Sequence, residues 1–227
     1  MGVPDIYTIS LLHFDGADGS TTITDESGKS WLVTNQAQID TAQSVFGGAS
    51  LLSDGVGDYV RNAINDADFA FPNGTDFTIE FWFRLSGAAT SKILYDCRPA
   101  ENGWYITLAI DANNKLYFLT AADVKILSTT VPQTNTWYHL ALARSGTNTK
   151  LFLNGLQEGS TYINDTASYL NSNLRPLLMS GYNGASYSVP GWMDELRISK
   201  GICRYTSDFV LPARAFGKLT GGIINIF

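Results

Sequence analysis

Residues 76–85 alternate more regularly than any other stretch of the chain. Phe77, Ile79, Phe81, Phe83 and Leu85 fall on one side, and Thr78, Glu80, Trp82 and Arg84 on the other. A period of two predicts a strand with its apolar side buried between layers. A register slip of one residue would bury Glu80 and Arg84 instead. Near the C-terminus, Trp192, Asp194, Leu196 and Ile198 alternate with Met193, Glu195, Arg197 and Ser199. This predicts a closing strand of an antiparallel sandwich. Between Gly201 and Pro212 an irregular arm is expected to tuck Tyr205 and Phe209 back against the sheet. Trp137 to Arg144 is apolar on both sides, so it reads as a central strand covered on both faces.

Further strands are expected at 6–14, 31–33, 46–52, 58–60, 93–96, 103–110, 116–120, 124–129 and 151–156, with brief pairing at 21–24. Turn-forming residues separate them at 15–20, 25–29, 53–57 and 111–115, a loop is expected at 144–150, and Asn154-Gly155 is a hairpin turn. Residues 157–190 are rich in Asn, Ser, Tyr and Gly, with one apolar run at 174–180. No helical period lasts longer than a turn or two, and no internal repeat is visible. The pattern predicts an all-β antiparallel sandwich.

The run from Gly191 through Asp194, Glu195, Leu196, Arg197, Cys203 and Tyr205 to Phe209 resembles the terminal signature of laminin-G-like (LamG) jelly rolls of the concanavalin A-like lectin/glucanase group. The form is the one common in bacteriophage structural proteins. Leu11 to Gly16, Asp25 to Gly28, Asp76 to Trp82, Thr136 to Ala141 and Leu151 to Gly155 are similar to earlier pieces of that family. The resemblance spans residues 10–212 and implies an antiparallel jelly-roll β-sandwich over 1–212, with residues 213–227 as a tail. It does not by itself imply an activity, because the group hosts binding modules, adhesion domains and enzymes alike.

Composition narrows this further. At 227 residues, 44% apolar and 16% charged, the chain fits one large globular domain. A formal net charge of −6 without Lys/Arg clusters disfavours a nucleic-acid partner. No apolar run approaches the length of a membrane-spanning helix. The opening Met1 to Ile6 has neither a basic segment nor an apolar core, so no Sec-type leader is expected. With the resemblance, this suggests a phage product that is released by lysis and displayed on the virion. Cys97 and Cys203 lack metal-site spacing and are expected to be free, mostly buried thiols, with a single bridge as the alternative.

For chemistry, the notable acidic pair is Asp194-Glu195, but neighbouring strand residues point to opposite faces and cannot flank one glycosidic bond. The E-x-D-x-x-E pattern of the group's glucanases and a G-x-S-x-G elbow are both missing, and His13 and His139 form no metal motif. No catalysis is expected. Calcium is a candidate structural ion, since acidic turns supply the oxygen ligands it prefers. The candidate ligands are Asp15, Asp25 and Asp194; the competing reading of Asp15 and Asp25 is as turn caps.

For a sugar, whose apolar face stacks on aromatic rings, the candidates are Trp104, Tyr182, Tyr187 and Trp192, each weighed against plain packing. Trp31, Trp82 and Trp137 are assigned to packing, and the sequons at Asn73 and Asn164 carry little information. The uncharged β-prone end containing Ile223, Ile224, Ile226 and Phe227 is a candidate docking segment, unless it adds an edge strand to its own domain. Three roles remain open: a virion protein that touches host-surface glycans, a purely structural decoration or tail component, and an accessory carbohydrate-binding module of a bacterial enzyme. Partners would be other virion proteins, cell-surface glycans and further copies of the chain, a trimer being the form the analogy suggests.

Overall fold

The computed structural model describes residues 5–99, 103–171, 174–182, 184 and 187–217. Two antiparallel sheets pack face to face, as the alternation requires. In chain order the strands are β1 (Thr8–Leu12), β2 (Trp31–Thr34), β3 (Gln38–Asp40), β4 (Ser50–Asp54), β5 (Tyr59–Asn62), β6 (Phe77–Leu85), β7 (Lys92–Asp96) and β8 (Thr107–Ile110). They continue as β9 (Leu116–Thr120), β10 (Asp123–Leu127), β11 (Trp137–Ser145), β12 (Asn148–Leu153), β13 (Leu156–Tyr162), β14 (Leu177–Leu178) and β15 (Pro190–Lys200). Among the described residues the one helical element is a 3-10 turn at Ala67–Phe69.

The first sheet runs β13-β12-β11-β6-β15-β4-β3, with β1 also paired to β15; the second runs β10-β9-β8-β7-β14-β5-β2. Between them lies one core, to which β6 contributes Phe77, Ile79, Phe81, Phe83 and Leu85, and the second sheet contributes Leu94, Leu108, Ile110 and Phe118. Each such side chain contributes roughly 1.5–3 kcal/mol relative to exposure. The expected register of β6 is therefore the observed one.

Strand β15 is central rather than terminal. One of its edges pairs with β6 along its whole length, while β4 takes residues 190–193 of the other edge and β1 takes 196–199. At the junction the alternation breaks. The register with β6 shifts between Asp194 and Arg197, and Glu195 has a positive φ of 51°. This bulge corrects the simple alternation expected for 192–199, because Met193, Leu196 and Ile198 all reach the core.

Other boundaries also differ. Residues 21–24 form no strand; there is only an isolated bridge between Leu12 and Asp25. Residues 46–48 are a turn rather than the start of a strand, with positive φ at Gly47 and Gly48. The loop expected at 144–150 is a tight hairpin, with Ser145 paired to Asn148 around Gly146. Strands β3 and β13 were not foreseen, whereas Asn154 and Gly155, both at positive φ, make the expected turn between β12 and β13. Cys97 is a buried free thiol in the main core, and Cys203 is a half-buried one on the outer side of the first sheet.

Candidate functional site

The two outer faces of the sandwich are treated differently by the chain. On the first sheet, the arm that follows β15 lies across the outward side of β11 and β12. Cys203, Tyr205 and Phe209 pack on Ala141, Ala143 and Phe152. The rings of Tyr205 and Phe209 stack with centroids 3.6 Å apart, and the Phe209 amide donates to the Gly155 carbonyl at 2.9 Å. This cover explains why β11 is apolar on both sides.

Beneath the arm sits Glu80, fully buried. It accepts from Arg197 Nε at 2.8 Å and Nη2 at 2.6 Å, and from the Tyr205 hydroxyl at 2.8 Å, while His139 Nε2 lies 3.2 Å away. Burial alone would raise this carboxyl, but His139, the Arg197 charge and the Tyr205 hydroxyl overcome it and hold the group down at about 2. Glu80 is thus an anchor for the arm and has no route to a substrate.

On the second sheet the outward side carries two neighbouring clefts. Ile93 of β7, Tyr117 and Leu119 of β9, Arg98, Tyr182 and Tyr187 line the first, of about 250 Å³. Tyr182 also borders the second, of about 240 Å³, with Tyr59 and Arg61 of β5, Arg175 and Leu177. The Tyr182 and Tyr187 rings meet edge to face with centroids 6.3 Å apart.

The organiser of this face is Asp96, buried at the end of β7. It accepts from Arg98 N at 3.0 Å, Arg98 Nε at 2.9 Å, Arg98 Nη2 at 3.0 Å, Thr107 Oγ1 at 2.9 Å and the Tyr182 amide at 2.9 Å. One buried carboxylate therefore fixes both a guanidinium and the loop that presents Tyr182. Arg175 Nη2 donates to the Tyr182 carbonyl and holds the same loop from the other side. The loop must come very close: a Cβ on Gly184, at φ +80°, would lie 2.6 Å from the Tyr59 ring.

Of the aromatic candidates, Tyr182 and Tyr187 are thus brought together and the other two are not. Trp104, 42% exposed, lines a separate hollow of about 550 Å³ with Tyr162 and Leu170, where Lys125 sits 5.9 Å from the Trp104 ring. Trp192 lies on the first sheet, donating from Nε1 to Asp40 Oδ2 at 2.7 Å, with Arg84 stacked 4.9 Å from its ring. Its surroundings are those of a packed side chain.

The sequence reading missed Asp96, Arg98, Tyr117, Tyr59, Arg61 and Arg175. Alternation in 116–120 does place Tyr117 opposite Leu116 and Phe118, so its outward direction was available. The convergence of the arginines was not, because it depends on pairing β14 between β5 and β7.

The three acidic candidates divide as well. Asp25 is saturated: Oδ1 accepts from the Leu11 and Ser27 amides, and Oδ2 from the Ser10 hydroxyl and Trp31 Nε1. Its carboxylate ties a turn to the first strand and leaves no lone pair pointing at an ion. Asp194 Oδ2 accepts from the Val45 amide at 2.7 Å and the Phe46 amide at 3.2 Å. Among the described residues its Oδ1 is buried without a hydrogen-bond partner. Burial, helped by the Glu195 charge, pushes the group up to about 7 against the pull of the Val45, Phe46 and Glu195 amides. Exposed Asp15 lies against Gly47 of the same turn, so close that a Cβ there would overlap its carboxylate. Asp15 and Asp194 thus both border the 45–47 turn, whereas Asp25 is tied to the first strand. Among the described residues no three His, Cys, Asp or Glu side chains are grouped to hold a metal ion. Residues Ile223, Ile224, Ile226 and Phe227 lie outside the described residues.

Comparison with known proteins gives a family and a fold. A family model described as the concanavalin A-like lectin/glucanases superfamily matches residues 54–203. No curated protein matches in sequence. Among solved structures, domain 4 of an extracellular arabinanase from Geobacillus stearothermophilus, in complex with arabinotriose, aligns with a TM-score of 0.64 at 16% identity. The alignment covers 86% of this chain and 93% of that one. The binding domain of Paraclostridial mosquitocidal protein 1 aligns at 0.65 and 16% identity over 88% of this chain and 50% of that one. A Trypanosoma rangeli sialidase in complex with sialic acid aligns at 0.60 and 13% identity, over 88% of this chain and 31% of that one. The chain thus spans nearly all of the arabinanase domain, half of the toxin fragment and about a third of the sialidase.

Proposed function

This chain belongs to the concanavalin A-like lectin/glucanase superfamily, and we propose that it is a non-catalytic recognition domain that binds carbohydrate on the outer face of its second sheet. The observation that carries the reading is the tyrosine-lined double cleft around Tyr182, held in shape by buried Asp96. Tyrosine faces and edges suit the apolar side of a pyranose, while Arg98 and Arg175 offer donors to its hydroxyls. The neighbour solved with arabinotriose and the toxin binding domain are consistent with such a use of the fold. The non-catalytic part of this reading is supported by three buried carboxylates: Glu80 is sealed, Asp96 is saturated by donors, and Glu195 is engaged by His13 Nδ1 at 2.7 Å and the Phe216 amide at 2.9 Å.

The setting we propose is a phage particle, as a capsid decoration or tail component that meets host-surface glycans and is joined to other virion proteins or further copies through its tail. A glycan array probed with the wild type and with Tyr182→Ala/Tyr187→Ala tests the binding reading. Retention of specific glycans by the wild type alone is expected. No retention by either would instead support a structural component with only protein partners. A cation is a second, separate proposal. Asp194 Oδ1, without a hydrogen-bond partner among the described residues, and Asp15, which lies against Gly47, would hold a calcium ion beside the 45–47 turn, neutralising a buried carboxylate. Calcium should then raise the melting temperature and a chelator lower it, and a melting temperature indifferent to both rejects the ion.

A further inference from the structure

We propose that the open face of the second sheet selects an acidic saccharide, an oxyanion carried on a sugar ring, over its neutral counterpart. This rests on the reading of that face as a glycan site. The chain has 21 acidic and 15 basic residues, yet three arginines, Arg61, Arg98 and Arg175, converge on these two adjoining clefts. Among the described residues, no carboxylate lines either cleft. Asp96 lies beneath and compensates one charge through its two-pronged bond to Arg98, which leaves Arg98 Nη1 without a share in that contact.

Among the described residues, the other two arginines donate only to neutral acceptors. Arg175 donates to the Tyr182 carbonyl, and its Nε is buried with no hydrogen-bond partner among the described residues. The contact of Arg61 is a long one, 3.4 Å from Nη1 to the Asn62 carbonyl. Burial and the nearby Arg98 charge both weaken the hold of Arg175 on its proton, although Asp96 opposes them, as expected for a desolvated cation short of counter-charge.

Guanidinium forks match planar or tetrahedral oxyanions through paired, charge-assisted hydrogen bonds, and the flanking tyrosines supply a surface for the ring that carries the anion. A free small anion would use the forks and leave the tyrosines idle. An acidic sugar uses both.

The experiment is a direct titration of the full chain with three matched oligosaccharides: uronic acid-bearing, the same oligosaccharide after carboxyl reduction, and a sulfated form. Two variants accompany the wild type. Arg175→Gln removes a guanidinium that also positions the Tyr182 loop, and Arg61→Gln removes one whose 3.4 Å hydrogen bond to the Asn62 carbonyl is too long to carry the fold. Melting curves of both variants accompany the titrations. The expected result is that one or both acidic forms bind roughly tenfold or more tighter than the neutral form, the scale of losing a charge-assisted hydrogen bond. The preference should shrink in Arg61→Gln and as salt is raised. Whether the carboxylated or the sulfated form leads identifies the source of the oxyanion. Equal affinity for neutral and acidic forms, unchanged in Arg61→Gln, overturns this inference while leaving the glycan site standing. Absence of binding to all three, together with an empty glycan array, removes both.

Discussion

At Glu80 the polar side of the most regular strand becomes the attachment point of the C-terminal arm. Its folded-state value of about 2 lies below its ordinary 4.5, so the stability it contributes is fully present above pH 4.5 and is lost as the pH falls toward 2. A difference of that size corresponds to about 3 kcal/mol. Urea unfolding of Glu80→Gln should show a lower midpoint at neutral pH and a flatter acid dependence than the wild type across that window. Parallel curves would mean that the network contributes nothing.

Arg144 is a comparable case at the other end of β11. It is fully buried, donates to the carbonyls of Thr75, Pro72 and Ala167, lies 3.6 Å from Asp165, and sits 5.0 and 4.9 Å from the centroids of the Phe77 and Tyr169 rings, which meet edge to face. Arg144→Met leaves Asp165 and the carbonyls uncompensated and should cost about 3–5 kcal/mol, read as a fall in denaturant midpoint at unchanged slope. Neither role was legible in the sequence. Local alternation gives the side of a strand on which a residue sits, whereas the partners of Glu80 and Arg144 come from as far away as Tyr205 and Pro72.

Strand β6 was legible residue by residue because both of its neighbours and the opposing sheet demand one fixed register. Strand β13 was not. It is an edge strand with much of its surface in solvent, and Gly159, at φ +62°, interrupts it where its Cβ would meet the Leu127 carbonyl of β10 at 2.4 Å. A half-exposed edge that bends to meet the other sheet leaves no period to read. The bulge in β15 escaped for a related reason: an extra residue at Glu195 is invisible to a count of alternate positions, yet it allows Asp194 and Arg197 to share the outer side.

The arm was foreseen from its turn residues and from Tyr205 and Phe209, and it carries an expectation at this scale. Phe209→Ala should loosen the arm selectively, speeding amide exchange at Phe209 and around Tyr205, with the unfolding free energy lowered by roughly 1–3 kcal/mol and the strands of the second sheet still protected. Loss of protection throughout the sandwich would show instead that the arm is part of its folding unit.

For the molecule as a whole, the asymmetry between the two outer faces organises everything else. One is closed by the chain's own arm, and the other presents tyrosines and arginines above a buried aspartate. Fold class was readable because sandwich periodicity and turn chemistry agree over most of the length. The site was readable only in part. Aromatic residues in a loop rich in Gly and Asn pointed to Tyr182 and Tyr187, but also to Trp104 and Trp192, which the fold sends to other surfaces.

The location of the ligand is therefore the most direct test. Hydrogen-exchange mass spectrometry of the full chain, with and without a saturating oligosaccharide selected from the glycan array, reports it without any substitution. New protection confined to the peptides bearing Arg98, Tyr117, Arg175 and Tyr182 to Tyr187 is the outcome expected. Protection around Trp104 and Leu170, or across the arm on the first sheet, would contradict the assignment of the open face as the recognition surface.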